Sequence, residues 1–282
     1  VLDEIYNNIS CFGADDGSIN IGVSGGTPPY NFIWSNGLNT PNINNLSPGN
    51  YSLIVTDDNS CFQEIEILIQ EPQTLTFEIN TFDVTTCFGD PTGSAYLEIN
   101  GGTPPYTANW FGFNPNALNA GDYVVSVTDL NGCYYEDSFT INQPQQLTMN
   151  IQTTDVLFCY GDASGTANIV INGGTPPYEI NQGNINNLNQ IYAGTYTISV
   201  TDINGCEVEE QIEINQPPPL NIDLSISNAL CPNDNSGQAT VNIFGGSPPY
   251  SQSWTDNFGN IVNPNTLLPG QYQLTVTDQF DC

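Results

Sequence analysis

The chain has 282 residues, of which 30 are acidic and none is Lys, Arg or His, so its formal net charge is −30. Nucleic-acid binding needs cationic side chains against phosphates, and anionic membrane surfaces repel a polyanion, so both classes of partner are excluded. Catalysis that needs a His base, a Schiff-base lysine or a His-ligated zinc is excluded in the same way. We therefore expect that the chain is not an enzyme. It also has no apolar run of about 18 residues that would predict a membrane span.

One order of elements recurs four times along the chain. An alternating strand such as LTFEI comes first, then a loop with a cysteine, then a second alternating strand that runs into GGTPPY or GGSPPY. A stretch of variable length follows, and after it come a strand ending in VTD, a turn with a second cysteine, and a last alternating strand. Alternation of apolar residues with period two predicts strands, and the D-x-N-G turn predicts a hairpin.

The recurring unit predicts an all-β fold made of small tandem domains. Six or seven short strands in about 72 residues are typical of a β-sandwich of the Ig-like or PKD-like type. Proline-rich junctions at Pro72, Pro144 and Pro217 predict four units, 1–71, 72–144, 145–216 and 217–282. Such junctions are short and stiff, so we expect an elongated rod. The first unit is expected to start slightly inside its opening strand, and the fourth to lack its last strand.

The GG-PPY phrase predicts a structural corner between strands. Glycine allows backbone conformations that other residues avoid, and proline fixes φ and ends strand pairing. The tyrosine would then start the next strand with its ring on the core. The other interpretation is a sugar-binding platform with exposed tyrosines. The corner residues are Gly25, Pro28, Pro29, Tyr30, Gly101, Pro104, Pro105, Tyr106, Gly173, Pro176, Pro177, Tyr178, Gly245, Pro248, Pro249 and Tyr250.

Three tryptophans, Trp34, Trp110 and Trp254, each follow the corner tyrosine by a few residues. A tryptophan at such a position in a sandwich is predicted to be buried. An exposed adhesive aromatic is the alternative interpretation.

Aspartates recur in two sets of loops and allow two interpretations. Carboxylate and carbonyl oxygens are the ligands of calcium, so a calcium site is one prediction. Asp is also an ordinary turn residue, and the spacing is not that of an EF-hand. No other cofactor is expected. The candidate ligands are Asp15, Asp90, Asp162 and Asp234 in the cysteine loops, and Asp57, Asp129, Asp202 and Asp278 in the VTD turns.

The motifs taken together and in order resemble the SprB repeat of very large surface adhesins of gliding Bacteroidetes. They are C-F-G, GGTPPY, the Trp in FIWSNG, L-x-x-G-x-Y, VTDxNGC and an alternating strand ending in QP. The resemblance covers essentially the whole chain. It implies an extracellular filament, exported by the type IX secretion system, that contacts the substratum and is carried by the gliding machinery. It also implies that the partners are neighbouring repeats of one long chain and the gliding or outer-membrane machinery.

Some positions depart from this pattern. The third unit lacks the Trp, and the fourth reads CPNDNSG and DQFDC in place of CFG and DxNGC. We interpret these differences as drift in loops.

Eight regularly spaced cysteines predict disulfides and an oxidising compartment. Pairing the last cysteine of one unit with the first of the next, as in Cys61–Cys87, is rejected because two strands separate them. Pairing within units is favoured, and a staggered pairing between neighbouring units is the alternative. The favoured pairs are Cys11–Cys61, Cys87–Cys133, Cys159–Cys206 and Cys231–Cys282. The staggered pairs are Cys11–Cys133, Cys87–Cys206 and Cys159–Cys282.

The function expected from these features is that of a disulfide-stiffened stalk segment in a cell-surface adhesin. The alternative is a polysaccharide-binding array in which each variable loop, residues 31–48 and its counterparts, contacts the ligand.

Overall fold

The structure, a computed structural model, describes every residue from Val1 to Cys282. It is all-β, with 20 strands in small antiparallel sheets. Two compact units divide the chain, Val1–Gln143 and Pro144–Cys282. We refer to residues 1–71, 72–144, 145–216 and 217–282 as repeats one to four, so each compact unit holds two repeats. None of the elements is a helix long and apolar enough to cross a membrane.

Repeat one is a sandwich of two three-stranded sheets, one of order β1-β2-β4 and the other of order β3-β5-β6. Apolar residues alternate along the strands, so Ile19 from one sheet and Leu53 from the other meet between them and are fully buried. The strands are β1 (Leu2–Asn7), β2 (Gly17–Val23), β3 (Asn31–Trp34), β4 (Asn42–Leu46), β5 (Gly49–Thr56) and β6 (Phe62–Ile69).

Repeats two and three each pair a two-stranded sheet with a three-stranded sheet. They have five strands where the sequence predicted six or seven, because the counterpart of β4 is reduced to one bridge, Gly93–Leu118 or Gly165–Ile191. Repeat two has β7 (Thr76–Phe82), β8 (Ser94–Asn100), β9 (Thr107–Asn109), β10 (Gly121–Thr128) and β11 (Tyr134–Ile141). Repeat three has β12 (Thr148–Thr154), β13 (Thr166–Asn172), β14 (Tyr178–Asn181), β15 (Gly194–Asp202) and β16 (Glu207–Ile214).

Repeat four has two two-stranded sheets, β17-β18 and β19-β20. It has no counterpart of β6, β11 or β16, and β20 pairs only with β19. Its buried apolar cluster is accordingly small and consists of Ala239, Trp254 and Leu267. The strands are β17 (Asn221–Ser227), β18 (Gln238–Phe244), β19 (Ser251–Asp256) and β20 (Tyr272–Thr277).

Each repeat has two chemically distinct ends. In repeat one, pairing of Asn31 with Thr56 brings the GG-PPY corner beside the VTD turn, and we call this the corner end. The Ile9 N–H donates to the Gln70 carbonyl, which brings the first-cysteine loop beside the proline junction, and we call this the loop end. Strand β5 runs from the loop end to the corner end, and its eight residues span about 25 Å.

Candidate functional site

The most distinctive chemistry of the chain lies where two repeats meet inside one compact unit. A disulfide joins Cys11, at the loop end of repeat one, to Cys133, at the corner end of repeat two, with Cα atoms 5.6 Å apart. A second disulfide joins Cys159 of repeat three to Cys282 of repeat four at the same Cα separation of 5.6 Å. Both bonds belong to the staggered pairing, so a covalent link connects repeat one to repeat two and repeat three to repeat four.

The favoured pairing within repeats is wrong for all four pairs. Cys11–Cys61 and Cys87–Cys133 are contradicted because Cys11 bonds Cys133. Cys159–Cys206 and Cys231–Cys282 are contradicted because Cys159 bonds Cys282. The two cysteines of a repeat lie at opposite ends of the sandwich, about 25 Å apart, whereas a disulfide needs Cα atoms within about 7 Å. Cys61 and Cys231 are exposed free thiols.

The residues beside the two disulfides differ in kind. In the first compact unit, the Asn131 side chain donates a hydrogen bond of 2.9 Å to the Ser10 carbonyl, across the two repeats. In the second, Phe280 takes the place of Asn131 and packs edge-on against Phe158, with ring centroids 5.5 Å apart. The Phe of the DQFDC sequence therefore contacts the Phe that precedes Cys159. The interpretation of DQFDC as drift in a loop missed this contact. The paired change at the two positions is the signal that could have revealed it.

The VTD aspartate ties the corner to the cysteine turn. The Asp129 carboxylate accepts hydrogen bonds from the backbone N–H of Thr103 in the corner at 2.8 Å, and of Asn131 and Cys133 in the turn at 2.9 Å each. The turn that carries the cysteine is thereby held against the GGTPPY phrase. The equivalent bonds recur at Asp57, Asp202 and Asp278.

At Asp57, Asp202 and Asp278 these hydrogen bonds lower the pKa and so stabilise the ionised form. The N–H of Thr27, followed by that of Cys61, holds the pKa of Asp57 below its usual value. For Asp202 burial is the largest influence and acts to raise the pKa, but the hydrogen bonds from Thr175, Cys206 and Asn204 together outweigh it, so the pKa is lowered. Asp278 follows the same pattern. A carboxylate that accepts several N–H bonds is favoured in its charged form.

The aspartates of the cysteine loops also have local partners. Asp90 and Asp162 accept hydrogen bonds from the N–H of Cys87 and Cys159 at 3.1 Å each. Asp15 accepts one from the Ser47 hydroxyl at 2.6 Å, and Asp234 accepts one from the Ser236 hydroxyl. No three acidic or thiol side chains come together as a metal-ion ligand set. Calcium binding by the eight aspartates stays a prediction.

The first glycine of the corner lets the chain pass close to the proline junction. A Cβ on Gly101 would lie 2.0 Å from the Thr74 carbonyl oxygen, and φ at Gly101 is +67°. The next residue, Gly102, donates its N–H to the Gln73 carbonyl at 2.8 Å. Gly173 and Gly245 lie equally close to the backbone at the start of their own repeats. The corner therefore clamps the start of its own repeat.

The corner tyrosines are hydrogen-bonded within the scaffold. The Tyr30 and Tyr106 hydroxyls donate to the carbonyls of Gly25 and Gly101 at 2.8 and 2.7 Å. Tyr178 and Tyr250 make the equivalent bond at 2.6 Å. A cis Pro–Pro peptide bond stands in each of the four corners.

The tryptophans take part in the cores. Trp34 and Trp254 are buried in their repeats, and Trp110 is partly buried against the core of repeat two.

The recurring motifs of the chain match a known protein family. A family model described as the SprB repeat matches residues 4–39, 81–110 and 224–258. The chain contains SprB repeats. The matched segments run from the opening strand toward or past the GG-PPY corner, so they include the first cysteine and the corner that the structure brings to opposite ends of each SprB repeat.

No curated protein sequence matches the chain. A similar solved structure is the crystal structure of Down Syndrome Cell Adhesion Molecule (DSCAM) isoform 1.30.30, N-terminal eight Ig domains, with 12% identity and a TM-score of 0.25. The alignment covers 99% of this chain and 50% of that one. A structural similarity with so low a TM-score supports no inference about this chain.

Proposed function

We propose that this chain is a structural stalk segment of a large secreted cell-surface adhesin that serves surface attachment and gliding motility. The observation that carries the proposal is the Cys11–Cys133 bond, which links the loop end of one SprB repeat to the corner end of the next. Such a link carries tension from Cys11 directly to Cys133, so the residues between these two cysteines are bypassed. Disulfides also support an oxidising, extracellular setting for the chain.

The covalent path explains how the segment would bear load. Tension applied at the two ends passes through Cys11–Cys133, along the stretch from Cys133 to Cys159, and through Cys159–Cys282. Residues 12–132 and 160–281 lie inside closed loops, so force cannot unravel them while the bonds are intact.

The charge of the chain suits a spacer. With a formal net charge of −30 and no Lys, Arg or His, its charged side chains repel one another at neutral pH, which favours solubility and an extended arrangement. The same composition leaves carboxylates, hydroxyls and thiols as the only reactive groups. In this proposal the chain does no catalysis, and its partners are neighbouring SprB repeats and the outer-membrane gliding machinery.

Single-molecule force spectroscopy on the whole chain, held at its two ends, tests the load-bearing role. In oxidising buffer we expect the released length between the two bonds to stay near 90 Å, from about 26 residues at about 3.5 Å each. After reduction it should approach about 1,000 Å for the full chain.

The Cys133→Ser variant is the control for this experiment. It should increase the length released in oxidising buffer, because residues after Cys11 then lie on the path of tension. Full extension of the unreduced parent chain at low force would contradict the stalk proposal.

A polysaccharide-binding array is a second candidate, favoured by aromatic side chains exposed in the variable loops. Phe111 and Phe113 of repeat two, Tyr192 of repeat three and Phe258 of repeat four are all solvent-exposed, Phe258 at 91%. Such rings can stack on sugars. Saturable binding on a glycan array that Phe258→Ser or Phe111→Ser weakens would support this candidate, whereas an array without signal would leave the stalk as the better proposal.

A further inference from the structure

Repeat two has a pair of stacked aromatic rings on the outer face of its opening sheet, β7-β8. The centroids of the Phe82 and Tyr96 rings lie 6.2 Å apart, and the ring planes differ by 26°. The two residues are 57% and 47% exposed. Ala95, the neighbour of Tyr96 along β8, is buried on the opposite face of the sheet. Adjoining apolar rings in contact with water are typical of a surface that binds another molecule.

The fold of the repeat does not require these rings. Phe82 pairs with Ser94 in repeat two, and the equivalent pair in repeat three is Thr154 with Thr166, whose hydroxyls are hydrogen-bonded at 2.8 Å. The other three repeats form the same pairing of their opening strands with polar residues at both ring positions. The position of Phe82 holds Asn7, Thr154 and Ser227, and the position of Tyr96 holds Asn20, Asn168 and Thr240.

Two carboxylates stand directly opposite each other on the same face. Glu78 of β7 pairs with Glu98 of β8, and both side chains are exposed. Cβ atoms of such pairs are about 5 Å apart, and like charges there are destabilising. The chain has no Lys, Arg or His that could offset this repulsion. The equivalent pairs in the other repeats contain one carboxylate at most, as Asp3 with Gly22, Asn150 with Val170, and Asp223 with Asn242.

The rings and the carboxylates form one continuous surface. Glu98 follows Tyr96 by two positions on β8, so the two side chains lie on one face about 7 Å apart. An arginine guanidinium is the group that suits both parts of this surface, because it stacks flat on aromatic rings and forms paired hydrogen bonds with carboxylates. A second copy of this chain has no cationic side chain to offer, so charge complementarity selects a different molecule.

We propose that the outer face of the β7-β8 sheet binds an arginine-bearing segment of a partner protein. One guanidinium would lie between the carboxylates of Glu78 and Glu98, and a second would stack on the rings of Phe82 and Tyr96. In an extended segment, residues two positions apart project to one side about 7 Å apart, which matches the spacing of Tyr96 and Glu98.

A polypeptide suits this surface better than a small ligand does. Small ligands are held mostly in concave sites, whereas Phe82, Tyr96 and the two glutamates are exposed on a sheet face. The inference concerns this face of repeat two and does not depend on the stalk function.

A synthetic peptide, SRSRS with blocked termini, tests the proposal on the whole chain at physiological ionic strength. Titration followed by the amide NMR signals should show saturable shifts concentrated in β7 and β8. A peptide with lysine in place of both arginines should bind at least fivefold more weakly, because an ammonium does not stack on the rings. A peptide with neutral citrulline at both positions should not bind.

Two matched pairs of variants locate the binding. Tyr96→Ser should weaken it at least fivefold, while Phe111→Ser, which removes a ring that is 51% exposed elsewhere in repeat two, should leave it unchanged. Glu98→Gln should also weaken it at least fivefold, while Glu64→Gln, which removes the same charge from an exposed position in repeat one, should not. Glu98→Gln relieves the repulsion with Glu78, so its melting temperature should be unchanged or higher, which separates lost binding from lost folding.

Three results would overturn the proposal. Equal binding of the arginine and lysine peptides, together with no effect of Tyr96→Ser, would show diffuse attraction to a polyanion. The absence of saturable shifts in β7 and β8 would show that this face does not bind the peptide. A glycan-array signal that Tyr96→Ser abolishes, without peptide binding, would assign the rings to a sugar instead.

Discussion

At the residue scale, two glycines of repeat two share a left-handed backbone but not their surroundings. Gly101 and Gly112 both have positive φ, at +67° and +90°, but only Gly101 lies against the backbone of the junction. Gly112 therefore serves conformational freedom alone, whereas Gly101 serves both conformational freedom and close backbone approach. This contrast supports a matched pair of substitutions.

Gly101→Ala should destabilise the chain much more than Gly112→Ala, because a Cβ on Gly112 would meet nothing within 4 Å. The left-handed backbone costs an L-residue roughly 1–2 kcal/mol at either position. At Gly101 the added Cβ would also meet the Thr74 carbonyl oxygen at 2.0 Å, so the junction would have to move. Urea unfolding of the two variants measures the difference, and equal losses of the free energy of unfolding would contradict the clamping role of the corner.

Adjacent carboxylates in one turn give a second residue-scale prediction. Asp57 accepts three N–H bonds, from Thr27, Asn59 and Cys61, while the neighbouring Asp58 is exposed. Removing either side chain deletes one negative charge, but only Asp57→Ala leaves N–H groups without their acceptor. We expect a melting temperature several degrees lower for Asp57→Ala and an unchanged or slightly higher one for Asp58→Ala.

The dependence on pH follows from the lowered pKa of Asp57, Asp202 and Asp278. A folded-state pKa below the unfolded value stabilises the protein at pH values above the unfolded pKa, about 3.9 for Asp. That stabilisation is lost as pH falls through the folded-state pKa. Urea unfolding between about pH 5 and pH 2 should show the free energy of unfolding declining below about pH 4, with a shallower decline in Asp57→Ala. A stability that rises throughout this range would contradict the assignment.

At the scale of elements, the direction of the preceding strand decides at which end of the sandwich each cysteine lies. The first cysteine follows the opening strand at the loop end, and the second follows the VTD strand at the corner end. Each turn is held by its own aspartate, as at Asp90 and Asp129. Neighbouring sandwiches in one compact unit therefore present opposite ends to each other, and the bond forms between repeats.

Thiol labelling checks this pairing. Iodoacetamide added to the native, unreduced chain should modify Cys61 and Cys231, which are exposed and free, and leave Cys11, Cys133, Cys159 and Cys282 unmodified. Peptic digestion without reduction should yield a linked peptide with Cys11 and Cys133. Recovery of a Cys11–Cys61 peptide instead would restore the pairing within repeats, and Cys133→Ser should make Cys11 reactive.

At the scale of the whole molecule, excess negative charge has to be tolerated without cations from the chain itself. Hydrogen bonds from backbone N–H groups take this role at the VTD aspartates, where a cation is not needed to hold the carboxylate. A bound calcium ion would be a second way to offset the charge.

Calcium binding is tested by thermal melting with and without a chelator. Because the VTD carboxylates already accept N–H bonds, we expect the melting temperature to be the same in excess EDTA as in millimolar calcium. Magnesium at equal ionic strength is the control for screening of the net charge. A rise in melting temperature with calcium alone would establish the metal site that the sequence suggested.

The local sequence was sufficient to predict the strands, the corners and the repeating unit of this protein. The alternation in segments such as YVVSVTD determines strands with one buried face, because successive side chains of a strand point to opposite faces. The glycines and prolines of GG-PPY determine a corner, because they restrict or release the backbone locally. The spacing of the cysteines predicted four repeats, and the SprB family model matches a segment in three of them.

Only the tertiary structure decided which cysteines pair and what the aspartates do. Both depend on which end of a sandwich a loop occupies and on what stands beside it, and no local pattern encodes that. Cys11 and Cys61 belong to one repeat yet lie at its opposite ends, whereas Cys133, 122 residues from Cys11 in sequence, is its bonded neighbour. Packing of one repeat against the next is the physical reason, because it creates contacts that neither repeat contains alone.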